Sequence, residues 1–164
     1  MWANAYLEQA RSDWDTRKLI AENACAACHE LHYLQMTAEK LGKAVLLRSG
    51  TTNLDSVNRT HKAFVRFLRV AAKNPGLRQA LQFNIRQLHA YVKEILPVAD
   101  QIERLAPTLA RDGPNAEYPW ETPSGEVKVP ASYAFPVEKD LRGPHGRKLL
   151  KLIDFVLDKF EALF

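Results

Sequence analysis

The most reactive side chains of this sequence lie close together near its start, where Cys25, Cys28, His29 and His32 occur within eight residues. In a helix, Cys25 and His29 would stand one turn apart, as would Cys28 and His32, so that one facet presents thiols and imidazoles to a metal ion. A tetrahedral metal needs ligands from more than one helix. Histidines from later in the chain would complete such a site, and the candidates are His61 and His89.

The same segment also matches the Cys-x-x-Cys-His order of c-type haem attachment. Haem attachment follows export, and charged residues such as Glu8, Arg11 and Asp13 interrupt the N-terminal segment, so it does not read as a secretory signal. Small cysteines packed at a helix interface, with the histidines partly in water, are the plainer explanation. We therefore expect no metal, no cofactor and no catalytic residue here, and keep the four residues as alternative metal ligands.

A second pattern is a row of uncompensated positive charge. Residues 56–93 contain eight Lys or Arg and no Asp or Glu. Five of them recur at steps of three and four, the spacing of one helix face, namely Arg59, Lys62, Arg66, Arg69 and Lys73. A solvated helix face usually mixes signs to gain ion pairs. On the plainer interpretation, the row is a solvated surface. The alternative is that it binds RNA, DNA, nucleotide phosphates or an acidic protein.

Composition limits the class of protein. The chain has 164 residues, 46% hydrophobic and 26% charged, as in an ordinary globular domain, and we expect one domain over residues 1–164. No apolar run approaches the length of a membrane span. With two cysteines and no recognisable export signal, we predict a cytoplasmic protein without a structural disulfide.

The elements that must position these residues are predicted to be helices. Apolar periodicity predicts an all-α, antiparallel up-and-down bundle of about five helices. Ser12 or Asp13 would cap the second helix, Asp55 or Ser56 the third, and Pro97 would end or kink the fourth. The predicted spans are 1–11, 14–49, 55–73, 77–97 with a short continuation to 105, and 144–164.

The predicted core faces follow from the same spacing. The second helix carries Ile20, Ala24, Ala27, Leu31, Leu34, Ala38, Leu41 and Val45. The third carries Val57, His61, Phe64, Leu68 and Ala71, and the fourth Leu81, Ile85, Leu88, Val92 and Ile95. The last carries Leu149, Leu152, Ile153, Val156, Phe160 and Leu163.

Residues 107–144 interrupt the helical pattern with seven of the nine prolines. Four aromatic residues are interleaved with them, which a disordered linker would lack. We predict an ordered loop insertion folded onto the bundle, with a short extended pair around residues 126–129. The aromatic residues could stack nucleobases, but more often pin a loop to its domain, and they are Tyr118, Trp120, Tyr133 and Phe135.

Two helices carry apolar residues outside their main stripes. These are Tyr33, Met36 and Leu46 on the second helix and Leu150, Phe155, Leu157 and Phe164 on the last. Because surplus apolar surface often marks an interface, we predict a two-fold homodimer. The alternative is that the loop 107–144 covers this surface within one chain.

Several of these features resemble the HEPN family (higher eukaryotes and prokaryotes nucleotide-binding domain). The long helix contains Ala38-Glu39-Lys40-Leu41-Gly42-Lys43-Ala44-Val45, and a Thr60-His61 pair and a Tyr118-Pro119 pair follow. The resemblance implies a helical bundle that binds a nucleotide, nucleic acid or protein, acts in a defence or toxin–antitoxin-type system, forms a dimer and pairs with a nucleotidyltransferase-type protein. We accordingly add Lys40, Lys43 and His61 to the five residues of the basic row as the predicted polyanion site.

The RNase branch of that family uses an Arg followed by four to six residues and then a His, and no histidine of this sequence has that spacing. We therefore predict a binding protein without catalysis. The alternative is an RNase or metal-dependent enzyme that uses His29, His32, His61 and Arg59. A plain protein-interaction module is the third interpretation.

Overall fold

Two long helices, α1 (Trp2–Glu22) and α2 (Ala27–Arg48), pack against each other as a helical hairpin and carry much of the core. The structure is a computed structural model that describes residues 1–23, 25–111 and 113–164. On α2, the predicted stripe residues Leu31, Leu34, Ala38, Leu41 and Val45 are all buried, as expected. Ala24, another member of that stripe, lies outside the described residues.

The predicted boundary between the first two helices is wrong. Helix α1 continues through Ser12 and Asp13, because the buried Asp13 carboxylate accepts hydrogen bonds from Gln9 and Lys40 instead of capping a new helix. The break comes at Asn23, whose backbone N–H donates to the Ile20 carbonyl and whose side chain donates to the Leu19 carbonyl. Cys25 consequently lies before α2 instead of inside a long helix.

The predicted third helix is two helices, α3 (Leu54–Asn58) and α4 (Ala63–Ala71). The side chain of Asn53 caps α3 by accepting the backbone N–H of Ser56, so the predicted caps Asp55 and Ser56 are both inside the helix. His61 lies between the two helices and is partly exposed, not on an inner helix face. The other four predicted core residues of this segment are buried: Val57, Phe64, Leu68 and Ala71.

The predicted fourth helix is also divided, into α5 (Pro75–Ala80) and α6 (Ile85–Glu103). Gln82 has a φ of +55°, which no helix allows, and Asn84 then starts α6 with a capping box to Gln87. Ile85 is 61% exposed and not part of the core, and α6 continues through Pro97.

The described residues of the loop 107–144 include several short elements of regular structure. These are α7 (Pro107–Ala110), the antiparallel strands β1 (Trp120–Glu121) and β2 (Val127–Lys128), a 3₁₀ turn at Pro130–Ser132 and α8 (Pro136–Arg142). Trp120 pairs with Lys128, and Glu121 with Val127. Trp120 and Phe135 are buried in the main core, which anchors this segment to the bundle.

Helix α9 (Pro144–Leu163) closes the bundle, and all six of its predicted core residues are buried. Within the described ranges the strands are confined to the one short pair, so the all-α fold is confirmed. The apolar residues outside the main stripes are mostly covered inside the chain: Leu46 and Leu157 are buried, and Leu150, Phe155 and Phe164 pack on the core.

A glycine determines how closely α4 approaches α2. A Cβ atom on Gly42 would lie 2.6 Å from the carbonyl carbon of Ala63 and 2.8 Å from the backbone nitrogen of Phe64. Only a residue without a side chain therefore allows the first turn of α4 to rest on the middle of α2. This contact positions the N-terminal end of α4 and the basic residues that follow it.

Candidate functional site: a basic cleft

The cysteine and histidine cluster does not form the facet that the spacing predicted. Cys25 is exposed and precedes α2, whereas Cys28 is buried in it, and both are free thiols. Burial raises the pKa of the Cys28 thiol, which makes it a poorer nucleophile and metal ligand. His32 Nδ1 lies 3.5 Å from Glu117 Oε1, in a shallow cavity between α2 and the loop. Within the described ranges, no three His, Cys, Asp or Glu side chains are grouped to hold a metal ion.

The histidines of the enzymatic alternative are not brought together. His32 faces Glu117 in the loop, whereas His61 Nδ1 lies 3.3 Å from Glu39 Oε2, about two turns further along α2. Arg59 is exposed after α3. The described positions of these side chains therefore offer no shared site for a nucleophile and a general base.

Two lysines of the predicted polyanion site, Lys40 and Lys43, are engaged inside the fold. Lys40 Nζ lies 2.5 Å from Asp13 Oδ2, and Lys43 Nζ lies 2.8 Å from Glu39 Oε1. Lys43 is only 7% exposed and also lies over the ring of Tyr6. Burial acts to raise the pKa of Glu39, but hydrogen bonds and charge from Lys43 and His61 outweigh it, so this pKa is lowered. Neither ammonium group is available to a ligand.

The remaining basic residues of α4 border a large cleft. Lys62, Arg66 and Arg69 form one wall of a cavity of about 740 Å³, and Arg104 and Arg111 extend it from α6 and from the end of α7. Lys62, Arg66 and Arg69 are exposed. The remaining lining residues are Thr60, Val65, Asp100, Glu103, Thr108 and Leu109. We call this cavity the basic cleft, because its lining, as far as the described residues go, has five cationic side chains and two carboxylates.

Both carboxylates of the basic cleft are already occupied. Asp100 Oδ2 lies 2.7 Å from Arg104 Nε. The buried Glu103 accepts the backbone N–H groups of Phe64 and Val65 through Oε1, at 3.0 and 3.1 Å. Glu103 thus caps the N-terminus of α4, where a free anion would otherwise bind. An incoming anion must therefore be held by the side chains of the cleft.

Burial raises the pKa of Glu103. Its two backbone hydrogen bonds and the nearby Lys62 favour the charged form but do not offset the loss of solvent. The carboxyl group therefore takes up a proton at a higher pH than an ordinary glutamate does. Protonation would remove one of the two negative charges from the cleft and increase its positive potential.

The structure brings three of the eight predicted residues into the basic cleft, namely Lys62, Arg66 and Arg69. Arg59 and Lys73 are exposed beyond its lining, and Lys40, Lys43 and His61 belong to the internal pairs. Arg104 and Arg111 were not among the predicted site residues. They lie outside the acid-free segment, and the available signal was their position on either side of the Pro107 break.

Among the described residues, no helix combines the length and the hydrophobicity needed to cross a membrane. No family model matches the sequence, and neither a curated protein nor a solved structure shows significant similarity to it. The assignment of a function therefore depends on the geometry and the charge of the basic cleft.

Proposed function

We propose that this protein binds nucleic acid through the basic cleft and does not cleave it. The observation that carries the proposal is the convergence of five cations on one cavity of about 740 Å³, whose described lining has two carboxylates, Asp100 paired with Arg104 and Glu103 held by the backbone of α4. Phosphate groups release condensed counterions when such cations neutralise them, and this release drives association. The internal lysine pairs show that this chain neutralises other cations with its own carboxylates.

The kinds of residue in the cleft favour phosphate over carboxylate ligands. Four of the five cations are arginines, namely Arg66, Arg69, Arg104 and Arg111. A guanidinium group can donate two parallel hydrogen bonds to a phosphate, and it is more weakly hydrated than an ammonium group. Two of the arginines lie on α4, one follows α6 and one follows α7, so several phosphates of one strand could be contacted from three elements. An acidic protein surface is the second candidate, since it would meet the same charges.

A binding role without catalysis is supported by the cleft lining. Within the described residues it contains no histidine or cysteine, and its two carboxylates are held by Arg104 and by the backbone of α4. A general base must reach the proton that it removes. His29 and His32 lie in another part of the molecule, beside the loop.

Other features of the proposal come from the sequence and stay predictions. They are a HEPN-like identity, a cytoplasmic location, a role in a defence or toxin–antitoxin-type system, and a nucleotidyltransferase-type partner. The predicted homodimer also stays a prediction, although much of the apolar surface that suggested it is covered within the chain. Light scattering on concentrated protein measures it directly: a dimer mass supports the prediction, and a monomer mass contradicts it.

The decisive experiment reverses the charge of one wall of the cleft. In the double variant Arg66→Glu with Arg69→Glu, we expect a loss of oligonucleotide affinity of at least about a hundredfold, measured by fluorescence anisotropy at about 50 mM salt. The slope of log affinity against log salt should fall by at least about 1.4, since each single-strand phosphate contact contributes about 0.7. Both side chains are exposed, so the thermal transition should be preserved.

The matched control is Arg59→Glu with Lys73→Glu, which changes the net charge equally at exposed positions outside the cleft lining. It should weaken binding far less than the cleft variant. Equal losses in the two variants would show that only net charge matters and would contradict the cleft. Absence of any oligonucleotide binding by the unmodified protein at low salt would contradict the proposed function itself.

A further inference from the structure

A second cavity adjoins the basic cleft. It has a volume of about 640 Å³ and lies between the end of α7 and the β1–β2 hairpin. Arg111 lines both cavities, and its φ of +54° with ψ of −117° is a backbone conformation that residues with side chains seldom adopt. Such strain often marks a functional position. A ligand that contacts Arg111 in the cleft therefore lies at the entrance to this second cavity.

The second cavity differs from the basic cleft in its chemistry. Its described lining is mainly aromatic, proline and neutral polar, and the charged residues among them are Arg111 and Glu121. We call it the aromatic cavity. The other lining residues are Pro107, Asn115, Tyr118, Pro119, Trp120, Thr122 and Pro123. Flat, weakly polar ligand groups fit such a lining, whereas phosphates fit the cleft beside it.

One aromatic residue of the loop stands apart from the other three. Trp120 and Phe135 are buried, and Tyr133 packs edge-to-face on both, with ring centroids 4.8 and 4.9 Å away. Those three rings attach the loop to the core. Tyr118, in contrast, is 60% exposed. Its ring is not needed to hold the loop in place, so packing does not explain it.

The backbone that carries Tyr118 is nevertheless held in place. The buried Asn115 side chain accepts the backbone N–H groups of Glu117 and Tyr118 through Oδ1, at 3.0 and 2.7 Å. Pro119 restricts Tyr118 to extended backbone, and the next residue, Trp120, is anchored in the core. An exposed ring on a fixed backbone is pre-organised to stack on a flat ligand group.

We propose that Tyr118 stacks on a base of single-stranded nucleic acid whose phosphates lie in the basic cleft. This inference rests on the proposed function and names its ligand more closely. Stacking of bases on aromatic side chains beside a positively charged groove is how proteins bind single strands without reading their sequence. A duplex keeps its bases stacked inside, so it would gain only the phosphate contacts. A mononucleotide would reach too few of the five cations.

The test compares two oligomers of equal length and charge, a deoxythymidine decamer and its abasic counterpart, in fluorescence anisotropy titrations. The unmodified protein should bind the decamer at least about fivefold more tightly, which is the lower end of the effect of stacking one base. Tyr118→Ala should reduce this ratio to about one and leave the affinity for the abasic oligomer unchanged. Tyr118→Phe should preserve the ratio, because the ring is retained.

The matched control is Trp2→Ala, which removes another exposed aromatic side chain, on α1, outside the lining of both cavities. It should leave the ratio unchanged. Equal binding of the decamer and the abasic oligomer, or a ratio that survives Tyr118→Ala, would overturn the stacking inference while the proposed function stands. A duplex or a mononucleotide that binds as tightly as the single strand would overturn the assignment to single strands. Failure of both decamers and of the duplex to bind would overturn the proposed function and the inference with it.

Discussion

The lysines of α2 and the cations of the basic cleft differ in burial and in ion pairing. Lys40 and Lys43 each contact a carboxylate within 2.8 Å, and their side chains are 18% and 8% exposed. Lys62 and Arg69 in the cleft are exposed and, within the described residues, have no ion pair. Positive charge thus indicates a ligand only where the fold has not supplied its own counter-charge.

The two groups should accordingly respond differently to mutation. Removing the carboxylate from one of the buried pairs on α2 leaves a buried ammonium group without a counter-charge, which lowers the free energy of unfolding. Removing a charge from the cleft changes affinity, because solvent already surrounds that side chain. The following three predictions test this division.

The largest effect is expected for Glu39→Ala. This substitution leaves the Lys43 ammonium buried beside Tyr6 without its carboxylate and removes the partner of His61. Loss of one partner from a buried pair lowers the free energy of unfolding by about 3 kcal/mol. Urea denaturation followed by circular dichroism measures it. Oligonucleotide affinity of the folded variant should be unchanged, since Glu39 does not line the cleft.

The control for this substitution is Glu126→Ala, which removes the partner of Lys128 in an exposed pair on the hairpin. Its free energy of unfolding should change by less than about 1 kcal/mol. If Glu39→Ala were as mild as Glu126→Ala, the buried lysine would not depend on its partner, and the comparison between the two groups would fail.

An intermediate effect is expected for Glu103→Gln. The amide oxygen can still accept the backbone N–H groups of Phe64 and Val65, while the negative charge that Glu103 brings to the cleft is removed. Affinity for single strands at neutral pH should rise about fivefold, as the loss of a repulsion of about 1 kcal/mol predicts. Glu103→Ala, which also removes the cap of α4, should in addition lower the free energy of unfolding by about 1 kcal/mol.

The pH dependence of stability gives this variant a second measurement. Because the pKa of Glu103 is raised in the folded state, its stabilising contribution is complete below the pKa of an unfolded glutamate, about 4.3. That contribution is lost as the pH rises through the folded pKa. Thermal unfolding in a pH series should show this decline in the unmodified protein and a smaller decline in Glu103→Gln. Identical profiles would contradict a raised pKa of Glu103 in the folded state.

The smallest effect is expected for Arg104→Gln. The Arg104 side chain is 71% exposed and forms an ion pair with Asp100. Its removal should therefore weaken single-strand binding only about two- to threefold. The slope against log salt should fall by about 0.7, and the thermal transition should stay in place. An unchanged slope would mean that Arg104 makes no phosphate contact.

The helical class and most core positions followed from the sequence, because apolar spacing reports burial directly. All six predicted core residues of α9 are buried. The boundaries were less predictable, since they depend on contacts between distant residues. Asp13 looks like a helix cap in the sequence, yet it accepts a hydrogen bond from Lys40 on the next helix. Gln82 lies just after α5 and has a positive φ, which nothing in the residue type or its neighbours predicts.

Only the part of the candidate site that lies on one continuous segment of the chain could be predicted. The spacing of Lys62, Arg66 and Arg69 placed them on one exposed face, and they line the cleft. Arg104 and Arg111 could not be added, because Arg104 comes near that face through the packing of α6 against α4, and Arg111 belongs to the turn after α7. Lys40 and Lys43 belong to the predicted site, whereas the structure pairs them with Asp13 and Glu39. The partner of Lys43 is one turn earlier on the same helix, but the partner of Lys40, Asp13, comes from α1, which spacing along α2 does not reveal.

The contact at Gly42 has a consequence for recognising relatives of this chain. Any side chain at that position would collide with the backbone of Ala63 and Phe64, where α4 begins. Evolution can exchange one cleft arginine for another cation, but it cannot replace this glycine without displacing the wall on which those arginines stand. In diverged homologues that retain the cleft, the invariant position should therefore be a buried glycine that never touches the ligand.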